Sequence, residues 1–539
     1  MKNLFILVLC ALMLLTGAAA LAEETIIALS GAQITVNGAP ISEDPTSPVY
    51  LAYVNETHED VPQELKTLYN HVVTITAAGS YRISGEASDT QIAVKAGKQD
   101  DVRLILDGAS LTCRTAPAIA VYSARDPRTP GEYGVVIELA EGSDNTIAGS
   151  HTKGETDDDI EFDGAIGAQV SLGIEGTGSL TVDADNEGVE VALGHLTING
   201  GALTIAACDD PLNVAEDGFG VLTMNDGYVY SSVKPLPGGE GDGIDSNGYI
   251  VFNGGTAINL AHPSSQDGGI DSDMGSVING GTIVGAGNMY DPIDEGSGQL
   301  FMMLEFGEST DSLVVVTDEN DVPVFAYDFP HDYMYIAFST PALEEGRTYR
   351  VYLGGAIEGE MVNGLYTSIS AYTPGTRMQH GAGSASARMP FTPPDMGDMP
   401  QGGQPPQMPQ GGMGPGGQID DSVLAYQAAL DTLDLNELLA GIDLNELLAD
   451  KDLNDLLSGF SVSDLLTRDQ IVSVFGDVDI AELEARAAMI PEQDMVGMRG
   501  SRGGFGPRAM ESSADTATAD FLLTRQSTGF TNVTAVPSE

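Results

Sequence analysis

Residues 241–255 read GDGIDSNGYIVFNGG, and residues 267–281 read DGGIDSDMGSVINGG. Both stretches carry acids beside glycines, an isoleucine, a short apolar run and a closing glycine pair, at matching points 26 residues apart. Related phrases extend in both directions: GAIGAQVSLGIEGTGSLTV from Gly164, EGVEVALGHLTINGGALTI from Glu187, DPLNVAEDGFGVLTMNDGYVY from Asp210, and DPIDEGSGQLFMML from Asp291. The first apolar position runs Ile166, Val189, Leu212, Ile244, Ile270, Ile293, at intervals of 23, 23, 32, 26 and 23 residues. The turn glycine runs Gly178, Gly201, Gly227, Gly255, Gly281.

A period in this range is the signature of stacked structural repeats. Each phrase holds room for three short strands and their turns, so the sequence predicts an all-β fold: a right-handed parallel β-helix, or β-solenoid. One round cannot bury its own apolar positions; neighbours stacked at the usual strand spacing of about 4.8 Å bury them together. The glycines mark corners where the chain needs positive φ. Upstream, GSYRISGEASDTQIAVKAGKQDDVRLILDGASLTC fits the same plan more loosely, and IIALSGAQITVNGAPI fits a first round or a cap.

The order of segments follows from composition. Residues 1–22 have Lys2, an apolar run from Leu4 to Leu15 and a small-residue cleavage site at Ala20-Leu21-Ala22. That pattern reads as a signal peptide, so the mature chain is expected to be secreted, extracellular or surface-associated, with no membrane span. Bulky Leu9 before Cys10 argues against a lipid-anchoring cysteine. Residues 23–300 form the predicted β-helix, and 301–375 a small antiparallel β-domain with a turn at Glu319-Asn320-Asp321. Residues 376–420, rich in Met, Pro, Gly and Gln, read as a disordered linker. Residues 421–490 contain LDLNELLAG, IDLNELLAD, KDLNDLLSG and FSVSDLLTR, a nine-residue period expected to form short helices and to offer a protein-partner site. Asp434 and Glu437 fit a helix start. Residues 491–539 read as a disordered tail.

The chain carries 79 acids against 22 bases, a formal charge of −57, which excludes nucleic acid as a partner. Residues 209–295 contain Lys234 as their one base. The acids there flank the inward position in successive rounds: Asp209 and Asp210 (with Asn213), Asp242 and Asp245, Asp267 and Asp271, Asp291 and Asp294, continuing upstream to Glu187 and Glu190. Stacking would line up like charges roughly 5 Å apart, a repulsion on the order of 1 kcal/mol per pair in water and several near a protein surface. Calcium, a hard cation that takes six to eight oxygens, would offset it. Hydrated, turn-forming aspartates are the alternative.

These phrases, with GSYRISG, VRLILDGASLT and STPALEEGRTYRVYLGG, resemble a family of secreted bacterial carbohydrate-binding β-helix proteins associated with cellulose and acidic-sugar polymers. The resemblance covers residues 26–375 and leaves the leucine repeat outside. It implies a right-handed parallel β-helix with a pectate-lyase-like shape, Ca2+ bound between rounds, a plant-type polysaccharide partner and no established catalysis. The calcium ligands it implies fall on Asp209, Asp210, Asp242, Asp245, Asp271 and Asp294. The phrase DDPLNV departs from the pattern, with Pro211 where other rounds have glycine.

The chain has no Trp. Tyr228, Tyr230, Tyr249 and Tyr290 are the candidate sugar-stacking side chains, and covering the outer sheet is the competing role. A calcium-dependent polysaccharide lyase is a second reading, with Lys234 as base; an ordinary surface lysine is the simpler account. A surface adhesin or scaffold is a third. Cys113 and Cys208, the cysteines left after cleavage, either pair or stay buried as thiols.

Overall fold

The computed structural model describes residues 24–31, 33–56, 61–151, 160–294, 296–310, 312–380, 521–523 and 531–535. The expected signal peptide, most of the linker, the leucine repeat and most of the tail lie outside the described residues. Those described are all-β: no helix occurs among them.

Three parallel ladders dominate. The first passes through Ile119–Ser123, Gly164–Ala168, Glu187–Val191, Leu212–Val214 and Asp245–Ser246. The second passes through Val135–Leu139, Leu172–Gly176, His195–Ile198, Val221–Met224, Tyr249–Phe252 and Gly275–Ile278. The third passes through Asp144–Gly149, Ser179–Ala184, Ala202–Ala207, Tyr228–Val233, Thr256–Leu260 and Thr282–Gly287. From Ile119 to Leu260 the chain visits one strand of each ladder in turn before returning to the first, and Gly275–Ile278 and Thr282–Gly287 then extend the second and third ladders alone.

Register explains the sequence period. Ile166 lies opposite Val189, and Val189 opposite Leu212, as their spacing requires. In the second ladder Ile174, Ile198, Met224, Phe252 and Ile278 pair in one column, each buried to within 1% of completely. Burying such a side chain is worth about 1.5–3 kcal/mol, and each column gains only because its neighbours supply the apolar contact.

The corner between the second and third ladders combines glycine with asparagine. Gly255 has φ of +79°, and a Cβ there would stand 2.7 Å from the carbonyl oxygen of Gly227. Asn225 Nδ2 donates to Asn199 Oδ1, Asn253 Nδ2 to Asn225 Oδ1, and Asn279 Nδ2 to Asn253 Oδ1, at 2.7–2.9 Å. In the round that begins at Gly164, the positive φ falls on Gly176, not on the expected Gly178.

The column does not extend to Ile293. The Ile293 backbone bridges Ser276 in the second ladder, while its side chain is buried in the same core as Ile270. The next round is never completed, because the third ladder ends on an antiparallel strand, Tyr333–Ser339, paired with Thr282–Gly287. At the other end Thr25–Ser30 pairs parallel with Gly79–Ala87 and antiparallel with Gln33–Val36, a cap in place of a full round.

The region expected to be a small β-domain is antiparallel, with Val314–Thr317 and Pro323–Tyr327 joined through the foreseen turn at Asp321, φ +61°. It packs on the third ladder: Ile258, Leu260, Val284 and Ala286 share a core with Tyr327, Tyr333, Ile336 and Phe338. Phe521–Leu522 and Thr531–Ala535 are strands that pair with Thr348–Val362 and with Phe301–Thr310 and Leu365–His380, so these parts of the expected disordered tail are ordered. Cys113 and Cys208 are free thiols, and burial pushes the Cys113 thiol up to about 12.

Candidate functional site

Acids gather where the first ladder ends. Glu190 pairs with Asn213 and Asn213 with Asp245, one column of a parallel ladder. Asp271 N–H donates to Ile244 O, and Ser246 N–H to Asp271 O, which sets Asp271 beside Asp245 in the next round. Asp242 joins them from the preceding turn. Asp242, Asp245 and Asp271 each offer a carboxylate oxygen within 4.8 Å of the other two.

Backbone N–H groups fix part of this arrangement. Asp242 Oδ1 accepts from Gly268 N–H at 2.6 Å, and Asp210 Oδ1 accepts from Asp242 N–H at 2.7 Å. Asp291 Oδ2 accepts from Ser272 N–H at 3.0 Å, and its carboxyl also hydrogen-bonds Asp271. The glycines of DGGID are needed for this approach: a Cβ on Gly269 would meet Ala286 N at 2.1 Å.

The electrostatics are one-signed. Burial, then Asp271, Asp210 and Asp245, hold the Asp242 carboxyl well above the usual range. Burial, then Asp210, Asp271 and Asp273, do the same to Asp245. Asp291 is pushed up to about 8 by burial and by Asp271. Each of the three clustered residues is partly buried.

A second acidic group lies further along the same ladder. Glu187 Oε1 accepts from Asn213 Nδ2 at 2.8 Å, while Glu187 Oε2 and Asn213 Oδ1 are buried without a hydrogen-bond partner. Glu190 Oε2 accepts from Asp163 N–H at 2.7 Å and Gly164 N–H at 3.2 Å. Burial lifts the Glu190 carboxyl to about 7, and burial with Glu190 and Asp210 lifts Glu187 well above its ordinary value.

The structure thus brings Asp242, Asp245 and Asp271 together, with Asp210 and Asp291 hydrogen-bonded at their edges. Asp267 Oδ2 turns to Gly241 N–H at 2.7 Å, and Asp294 Oδ1 to Gly296 N–H at 2.5 Å. Asp209 lies outside the cluster of three. Asp273, which faces Asp271 and Asp217 and is itself raised chiefly by burial, was missed in the sequence. Its signal was present as the second acid of GGIDSD.

Lys234 Nζ is ion-paired with Asp183 at 2.5 Å and donates to Ala184 O. Tyr228 and Tyr230 pack against the core that the third ladder shares with the antiparallel region, and Tyr228 OH accepts from Asn363 Nδ2 at 2.8 Å. Tyr290 lies against Tyr335, ring centroids 5.1 Å apart. Tyr249 is exposed, at 42%. Tyr228 and Tyr230 are thus partly buried on the outer face of the third ladder. No helix among the described residues is long and apolar enough to cross a membrane.

An all-β region of parallel ladders with an acidic cluster on one of them defines the class, and sequence relatives narrow it. Residues 69–294 match the family described as carbohydrate-binding domain-containing protein. A protein of Acetivibrio thermocellus with the same description is 34% identical over 137 residues, which is 25% of this chain and 45% of that protein. The chain thus spans less than half the length of this relative. A solved structure described as a polysaccharide lyase-like protein from C. thermocellum, a gadolinium derivative, superposes with a TM-score of 0.33 and 23% identity. That superposition covers 48% of this chain and 93% of the other, and so low a score carries no argument.

Proposed function

We propose that the chain is an exported, calcium-binding, non-catalytic protein that binds a plant-type polysaccharide, cellulosic or acidic, on a right-handed parallel β-helix. The family match over residues 69–294 supports the carbohydrate partner. The parallel ladders, visited in rotation and in register, support the β-helix. The observation that carries calcium is the cluster Asp242, Asp245 and Asp271, with oxygens within 4.8 Å of one another. Calcium–oxygen distances of 2.3–2.6 Å allow two ligands of one ion to stand up to roughly 5 Å apart, so the donor set fits in both spacing and hardness. Carboxyls raised by burial and by neighbouring aspartates, as at Asp242 and Asp245, are what such a set shows without its ion. Asp242, Asp245 and Asp271 would hold the metal, with Asp210 and Asp291 orienting them. The ion would neutralise the cluster and offer positive charge to a uronate carboxylate.

Binding without turnover is the reading that Lys234 supports, because Asp183 and the Ala184 carbonyl already hold its ammonium. The test is retention of the full chain on immobilised polygalacturonate in calcium and then in chelator, with the eluate monitored for unsaturated product. Chelator-sensitive retention without product is expected. Retention indifferent to chelator, and unchanged in Asp245→Asn, would remove calcium from the proposal; calcium-dependent product would replace binding by lyase activity.

A further inference from the structure

At the corner between the first and second ladders, successive rounds expose an apolar side chain. Leu193 is 43% exposed, Phe219 37%, Tyr249 42% and Met274 47%. They share a corner by register: His195 pairs with Val221, Val221 with Tyr249, and Tyr249 with Gly275, and each of the four lies within two residues of this column. At a strand spacing of about 4.8 Å, the row runs roughly 14 Å along the stacking direction.

The members differ in what they offer. Phe219 is clamped between His195, ring centroids 4.8 Å apart, and the Arg128 guanidinium, 4.1 Å from its centre. Among the described residues no ring or guanidinium is stacked on Tyr249 in this way. The next residue in its column is Gly275, where a Cβ would meet nothing within 4 Å, so one side of Tyr249 faces a gap. Carboxylates line the same corner: Asp217, which accepts from Asn247 Nδ2 at 3.0 Å, and the exposed Asp273 beside Met274.

We infer that this row is a second glycan-binding face, apart from the acidic cluster, and that it takes a neutral, extended glycan chain laid across Leu193, Phe219, Tyr249 and Met274, with a sugar ring on Tyr249. The inference rests on the carbohydrate-binding reading; all four residues fall inside the matched region 69–294. Aliphatic faces of sugar rings suit an apolar and aromatic strip, and sugar hydroxyls donate to carboxylates, which only accept. A polyanion is disfavoured beside Asp217 and Asp273, so this face is distinct in chemistry from the acidic cluster. Arg128 adds no free cation, since its Nη1 and Nη2 both donate to the Glu216 carboxylate. The spacing between rounds is close to the advance of one ring along an extended β-linked glycan.

The test is calorimetric titration of the full chain, in calcium buffer, with cellohexaose and separately with polygalacturonate. Tyr249→Ala is expected to bind cellohexaose about tenfold more weakly, or not at all. Tyr249→Phe should bind as the unaltered chain does, and so should Tyr53→Ala, which removes an exposed ring elsewhere, 51% exposed. Met274→Glu gives a second reading of the row should Tyr249→Ala melt early. Cellohexaose binding unchanged in both row variants overturns the row and leaves the carbohydrate reading standing. Binding of polygalacturonate alone likewise overturns it. An unaltered chain that binds neither sugar overturns both.

Discussion

Glu190 shows how a single carboxyl is governed by its ladder. Two backbone N–H groups stabilise its charged form, yet burial outweighs them and lifts it to about 7 from an ordinary 4.5. Glu187, in the same strand, moves in the same direction. A carboxyl raised in the folded state costs no stability below its unfolded value and progressively more as pH rises through the folded value. In chelator, melting temperature should therefore fall between about pH 4.5 and 7, with Glu190 contributing roughly 3 kcal/mol at most. Glu190→Gln keeps an acceptor for Asp163 N–H and removes the charge. Its melting temperature should vary less across that window, and a profile parallel to the unaltered chain would show that the burial cost is absent.

At the scale of elements, the corner of asparagine and glycine holds successive rounds in register. Asn253 donates to Asn225 and accepts from Asn279, so Asn253→Ala removes two hydrogen bonds at an exposed corner, costing about 1–2 kcal/mol. Gly255→Ala should cost more, since it forces a side chain into positive φ against Gly227 O at 2.7 Å and Met224 Cε. Urea denaturation of both variants checks the order, and Gly255→Ala proving the milder would mean that the corner relaxes freely. The paired glycines announced this corner in the sequence, because a repeated demand on φ leaves a repeated residue. The strand columns were equally legible, since a stacked core needs an apolar residue at the same place in each round. The fate of Ile293 was not, because it depends on a strand some forty residues later, Tyr333–Ser339, closing the third ladder in the opposite direction. The choice between the two readings of Tyr228 and Tyr230 stayed open for the same reason: a period describes a sheet but not what packs on its outer face. Of the site, the aspartates could be read as a stripe, whereas the choice of Asp242, Asp245 and Asp271 follows from turn geometry that spacing does not carry.

Across the whole molecule, a charge of −57 makes screening of like-charge repulsion by salt stabilising, so calcium must be separated from screening. Screening by monovalent ions acts on all the acids and saturates gradually. A bound divalent ion acts at the buried cluster and stabilises the folded state by an amount set by its concentration over its dissociation constant, about 2.7 kcal/mol at a hundredfold excess. Melting the full chain in millimolar calcium and in sodium chloride of equal ionic strength should give a clearly higher midpoint in calcium. Asp245→Asn should abolish that difference while keeping the response to sodium, because it removes one ligand charge from the cluster and leaves the surface almost unchanged. Acidification should erode the calcium effect as well, since Asp242, Asp245 and Asp291 are all raised and protons compete with the ion for the same oxygens. Equal midpoints in calcium and sodium would mean that the three aspartates are held by protons and hydration, and that the cluster's spacing reflects only the turns that carry it.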